Sequence, residues 1–112
     1  MGKFVVIRAA NGEYYFHLKA DNSQIILTSQ MYSSKTACFN DIESVRNNCF
    51  DDNRYERKQS AGNKHYFILK TSKGQIIGKS EMYPSKEVME NGIESVKKNG
   101  RNTKLVEEEP YF

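Results

Sequence analysis

The sequence predicts an α+β fold: two tandem β-β-β-α repeats and a closing C-terminal strand, forming one antiparallel sheet with two helices on one face. Three observations carry this expectation. The chain repeats itself at an offset of 51 positions, with 18 of the 34 residues from 15 to 48 identical to their later partners. Self-similarity of that kind marks a duplicated structural unit. Within each copy, three short β-patterned runs precede one segment whose apolar residues fall at helical spacing. The turns between the runs are short, which imposes antiparallel pairing. A helix after each group of three strands, not after each strand, sets the class as α+β. A pseudo-twofold axis is expected to relate the halves.

Phe4 to Arg8 is apolar and β-branched, and Asn11-Gly12 after it signals a hairpin of type I′. Tyr14 to Ala20 alternates: Tyr14, Phe16 and Leu18 point one way, Tyr15, His17 and Lys19 the other. Asp21-Asn22-Ser23 turns the chain into a third strand, Gln24 to Ser29, whose consecutive Ile25, Ile26 and Leu27 leave its inner face open. The period then changes. Cys38, Ile42, Val45 and Cys49 follow one another at spacings of four, three and four, one face of a helix capped by Ser34. Asp51-Asp52-Asn53 breaks the chain, and the plan recurs as Tyr55 to Gln59, His65 to Thr71, Gln75 to Ser80 and a helix from Ser85 to Asn99. Its inner stripe is Met89, Ile93 and Val96, with Gly100 as a natural C′ terminator. One more step of the repeat places a short strand at Lys104-Leu105-Val106, expected to complete the second unit.

A chain of 112 residues has room for one domain with one core. The expected division is repeat 1 over 1–51 and repeat 2, with the closing strand, over 52–112. A single repeat of this size is marginal alone, so the two are expected to share a core. Net charge is +3, but Glu107-Glu108-Glu109 lie together, and positions 1–106 carry +6. That supports weak attraction to polyanions and falls short of a dedicated nucleic-acid arm. No apolar run approaches the roughly 20 residues that span a bilayer, and the start of the chain does not read as a secretory signal. The expectation is a cytoplasmic monomer. Cys38 and Cys49 do not recur in the second copy, match no zinc spacing and are too far apart along one helix for a disulfide. They read as reduced thiols.

At Tyr66-Phe67-Ile68-Leu69-Lys70, Lys73-Gly74-Gln75, Ser80-Glu81-Met82-Tyr83 and Asn91 to Asn99, the sequence resembles the YegP-like family of small bacterial proteins of unknown function. The first copy carries the same pattern, and Asp52 to Arg57 resembles the family's inter-repeat segment. The chain departs from the pattern at Asp41, where the family has Gly, and around Cys38-Phe39. The resemblance implies one sheet built from two β-rich repeats, with terminal strands open to exchange between halves. It implies that tandem members fold as monomers, and it implies no activity.

The polar residues Asn40, Glu43 and Ser44 recur as Asn91, Glu94 and Ser95. Two symmetric sites are one reading; the other is that Asn and Ser tie the helix to a loop while Glu is solvated. His17 and His65 are not equivalent and point to opposite faces, which argues against a metal pair or relay. Gly92 inside a helix implies close approach, of a ligand or of a packed neighbour. Phosphate loops, nucleophile elbows and paired catalytic carboxylates are absent, so no enzyme, cofactor or metal is expected. The candidate binding face is the sheet face away from the helices: Tyr15, His17, Lys19, Tyr66, Ile68 and Lys70. The expected function is a non-catalytic binding or interaction domain that meets a protein or small ligand through this face or a strand edge such as Phe4 to Arg8. The alternative is weak nucleic-acid binding by the same face, in the way open sheets stack bases on aromatics and hold phosphates with Lys.

Overall fold

Strands form where the sequence alternates and helices where its apolar period lengthens. In the computed structural model, which describes residues 2–101 and 104–107, β1 (Lys3–Arg8), β2 (Tyr14–Lys19) and β3 (Ile25–Ser29) precede α1 (Lys35–Asn48). After a 3₁₀ turn at Asp52–Arg54, β4 (Tyr55–Gln59), β5 (His65–Lys70) and β6 (Ile76–Lys79) precede α2 (Lys86–Asn99), and β7 (Lys104–Glu107) closes the described chain. Each helix starts where expected. Ser34 Oγ accepts from Ala37 N and Ser85 Oγ from Val88 N, both at 3.1 Å, which satisfies a donor the first turn leaves open.

All seven strands form one sheet, in the order β4-β5-β6-β3-β2-β1-β7. The halves meet at β3 and β6, where Thr28 lies opposite Lys79 in antiparallel register. Those two residues are equivalents in the repeat. Equivalent positions facing each other across an antiparallel ladder put the pseudo-twofold axis between them.

Both helices pack on the same face. Cys38, Ile42 and Val45 of α1 and Met89, Ile93 and Val96 of α2 share one core with Phe4, Phe16, Leu18, Phe67 and Leu69. The ambiguity of the third strand is resolved by a bulge. Leu18 faces Leu27, but Lys19 faces Ile25, so Ile26 and Leu27 both enter the core. The same shift between Leu69 and Lys70 buries Ile77.

Three expectations are corrected. The first hairpin is not type I′, which needs two residues at positive φ. Here only Gly12 has one, +89°, and Gly12 N donates to Ala9 O at 2.9 Å while Ala9 N donates to Glu13 O at 2.7 Å. This is a three-residue loop with its last residue left-handed, and the other hairpins repeat it with Ser23, Asn63 and Gly74 in that place. Second, β7 does not pair within the second repeat. It pairs parallel with β1, setting Phe4 opposite Leu105 and Val5 opposite Val106. The antiparallel place beside β2 is already held by β1, the residues two repeat steps before β7, so β7 adds outside it. The strand expected as an edge, Phe4 to Arg8, is therefore an interior strand.

Third, Gly100 does not terminate α2 through left-handed freedom, since its φ and ψ are −78° and −21°, ordinary helical values. Its role is space. A Cβ on Gly100 would lie 2.8 Å from Cys49 Sγ, and Cys49 is its equivalent in the first repeat. Gly78, whose equivalent is Leu27, shows the same relation: a Cβ there would lie 3.1 Å from Leu27 Cγ and 2.8 Å from Thr28 O. Arg101 stacks over the ring of its own equivalent, Phe50, at 4.8 Å. On the axis two copies of one side chain would compete for the same volume, so one copy is large and the other small or complementary.

Candidate functional site

Alternation along the strands sends Lys3, Val5 and Ile7 of β1 to the face opposite the helices, with Tyr15, His17 and Lys19 beside them on β2. On the other side of the axis Tyr66, Ile68 and Lys70 of β5 share that face with Glu56 and Lys58 of β4. The six residues expected to form the binding face thus lie on one surface, but in two rows. β3 and β6 run between the rows, which separates them by three strand spacings, about 14 Å.

The gap is filled by residues that the sequence reading missed. Thr28 faces His17, Lys79 faces both Thr28 and Ile68, and Ile76 faces Lys70. Lys79 was hidden by the bulge. In a strand with adjacent buried residues, alternation cannot say which side follows, and only the pairing partner reveals it.

The charge on this face is one-sided. Lys3, Lys19, Lys58, Lys70 and Lys79 point outward, and among the paired strand residues of this face whose side chains are described Glu56 is the single acid. Lys70 Nζ lies 2.7 Å and Lys58 Nζ 3.6 Å from Glu56 carboxylate oxygens. The Lys70 ammonium holds the Glu56 carboxyl below its usual range. Lys79 Nζ sits 5.2 Å from the centre of the Tyr66 ring, and Tyr15 meets His17 edge-on at 5.4 Å. The rings of Tyr15 and Tyr66 are half-buried. Val5, between His17 and β7, is buried, so the accessible part of the face runs mainly from β2 to β4.

The repeated polar residues serve the fold in part. Asn48 Nδ2 donates to Ser44 O at 2.7 Å and Asn99 Nδ2 to Ser95 O at 2.8 Å, closing the ends of the helices. Asn99, 6% exposed, also accepts from Gly2 N at 3.1 Å, tying α2 to the start of β1. Glu43 and Glu94 pair with Arg46 and Lys97 three residues on. Asn91, Glu94 and Ser95 line an open cleft against Asp21 and Asn22 of the β2–β3 hairpin.

Gly92 is explained by a neighbour. A Cβ there would lie 2.6 Å from Tyr83 Oη, so the Tyr83 ring rests on the helix backbone. In the first repeat the equivalent Tyr32 instead donates its hydroxyl to the side chain of Asp41. One contact is steric and the other polar, and the sequence difference between Gly92 and Asp41 follows from it. Ser29 and Ser80 are also accounted for. Each hydroxyl accepts a strand N–H, from Phe16 at 2.9 Å and Phe67 at 3.0 Å, and donates to the next carbonyl.

Around β4 the second repeat carries an ion network the first lacks. Arg57 reaches Glu90 at 2.5 Å and 3.1 Å and Asp52 at 2.9 Å, and Lys97 reaches Asp52 at 2.9 Å. Hydrogen bonds from Lys97, then Arg57, keep the Asp52 carboxyl below its usual range, and those from Arg57 do the same for Glu90. Cys38 and Cys49 are buried free thiols. Burial, and secondarily the charge of Asp41, pushes the Cys38 thiol up to about 11. Among the described residues no group of three or more His, Cys, Asp or Glu side chains is placed to hold a metal ion. No helix among them is long and apolar enough to cross a membrane.

The model of the domain of unknown function DUF1508 matches this chain twice, over residues 9–56 and 60–107. The UPF0339 protein YegP of Yersinia pestis is 46% identical over 103 residues, 92% of either chain. YegP of Escherichia coli K12 is 44% identical over 99 residues, covering 88% of this chain and 90% of that one. The solution structure of the E. coli protein, described as of unknown function, superposes with a TM-score of 0.90 over 95% of this chain and 91% of that one. The UPF0339 protein of Shewanella oneidensis, at 40% identity, also gives 0.90, over 95% and 90%.

Proposed function

Because this chain belongs to the DUF1508 family, whose function is unknown, and carries the domain twice, we propose that it is a non-catalytic binding domain, cytoplasmic and monomeric, whose contact surface is the open face of the sheet. The single observation that carries this reading is the composition of that face: five outward lysines against one acid, with Tyr15 and Tyr66 on β2 and β5. The opposite face of the sheet is consumed by the core. The retained Glu, Ser and C-terminal Asn positions on the helices are engaged in capping, in a helix-to-strand tie or in a local ion pair, whereas Asn40 and Asn91 are exposed.

Strand addition at β1 or β4 is the weaker route. β1 is covered by β7, and β4 presents Glu56, Arg57 and Lys58, charges that oppose pairing with another chain. Basic and aromatic side chains on an uncovered sheet supply attraction at long range and contact area at short range. The test compares what wild type and a Tyr15→Ala/Tyr66→Ala variant retain from a bacterial lysate, protein and nucleic acid alike. The variant is expected to lose a component that wild type holds. Identical retained sets would remove this face from consideration.

A further inference from the structure

We infer that the occupant of the open face is single-stranded nucleic acid, with phosphates on Lys19, Lys70 and Lys79 and bases against Tyr15 and Tyr66. The inference rests on the preceding reading that this face is the contact surface, and it names the ligand. Four observations carry it.

The first is charge segregation. The whole chain is only +3, yet the paired strand residues of this one face whose side chains are described sum to +4, so positive charge is concentrated where the sheet is open. A ligand of repeated negative charge is the complement of such a surface. The second is the pattern of aromatic and basic residues. Tyr15 with Lys19, and Tyr66 with Lys70, set a ring and an ammonium on one strand four residues apart, and the axis duplicates the pair about 14 Å away. Lys79 stands between the rows, over the Tyr66 ring. A ring meets a base face only where the base is unpaired, so this arrangement selects a single strand over a duplex.

The third is the poor fit of a lipid surface. Among the described residues Ile76 is the face's one exposed large apolar side chain, at 43%, whereas interfacial binding needs a broad apolar contact. The fourth is that the lysines outnumber the one acid that holds them. Lys70 shares Glu56 with Lys58, and Lys79 is partnered by a ring, not an acid. These partners hold the ammonium groups on the face and leave net charge for phosphate.

The experiment is a fluorescence-anisotropy titration of the full chain with a short labelled oligothymidine at low salt. Binding is expected in the micromolar range, with log K falling against log salt at a slope of about −2, from three phosphate contacts on a single strand. Lys70→Gln/Lys79→Gln, which removes two of the three contacts, should flatten that slope by about 1.4. Tyr66→Ala should weaken binding roughly tenfold and Tyr66→Phe should restore it, since stacking needs the ring and not the hydroxyl. Tyr66→Phe also guards against a folding defect. Glu56→Gln, which frees Lys70, should tighten binding. Lys86→Gln/Lys98→Gln removes the same charge from α2 and should leave affinity unchanged.

Several results would overturn the inference. They are no binding at micromolar protein in low salt, equal weakening by the α2 pair, tighter binding of the duplex, or equal binding of polyglutamate. If the lysate comparison shows loss of a protein component while the oligonucleotide fails, the open-face reading stands and the nucleic-acid inference falls.

Discussion

Replacing Gly100 by Ala tests whether residues on the pseudo-twofold axis are chosen for space. Gly100 has helical φ and ψ, so by backbone preference alone Ala is the better residue there. Restricting the unfolded chain would stabilise the protein by about 0.4–1 kcal/mol. The packing says the opposite. The new Cβ would sit 2.8 Å from Cys49 Sγ and 3.1 Å from Cys49 Cβ, and Cys49 is fully buried with little room to withdraw. Overpacking a filled interior costs about 1–3 kcal/mol. The difference predicts a net loss of about 1–2 kcal/mol, some 4–8 °C in Tm for a domain near this size. In a Cys49→Ala background the sulfur is gone while Val96 O at 2.9 Å and the Cβ of residue 49 at 3.1 Å remain, so the same substitution should cost less but not become free, a coupling of about 1 kcal/mol. The exchange Cys49→Gly/Gly100→Cys should recover most of the wild-type stability, because the axis makes the positions equivalent. Urea denaturation followed by circular dichroism measures all five proteins, wild type included, with unchanged m-values as the check on two-state behaviour. A more stable Gly100→Ala, or an equal cost in both backgrounds, would refute the axis argument.

Three further expectations follow from the core and the ion network. Cys38 is fully buried with its thiol raised from an ordinary 9.0 to about 11, so at pH 8 its thiolate population is about a hundredfold below that of an exposed cysteine. Native Cys38 should react with a thiol reagent only after unfolding, and fast labelling would place α1 the wrong way round. Ile42→Ala and Ile93→Ala should each cost about 2–5 kcal/mol in urea denaturation, since both side chains are buried at equivalent places under the sheet. The Asp52 and Glu90 carboxyls are depressed in the folded protein, so their contribution is present above their ordinary values of 3.8 and 4.5 and is lost as pH falls through the folded values. An Arg57→Gln variant should therefore show a flatter acid limb of stability against pH, with a loss at neutral pH of about 1 kcal/mol or less, because the pairs are largely solvated.

The sequence alone determined everything that depends on local period and on the repeat. Alternation in Tyr14 to Lys19 and in His65 to Lys70 put Phe16, Leu18, Phe67 and Leu69 under the helices, and the stripes through Ile42 and Ile93 turned the helices toward them. Ser34 and Ser85 were legible as caps because a hydroxyl there answers an open N–H within three residues. The six outward residues of β2 and β5 were legible for the same reason. What the tertiary structure decided depends on partners distant in the chain. Nothing in residues 104–107 says that they join β1 in parallel, because the competing place beside β2 is filled by residues a hundred positions earlier. The outward turn of Lys79 depends on a bulge against β5, and the left-handed residue of each hairpin on where its ladder ends. The glycines at 78, 92 and 100 read alike in sequence. Only the fold shows that Leu27, Tyr83 and Cys49 occupy the space they leave, because excluded volume acts between residues brought together by folding and carries no signature in the chain between them.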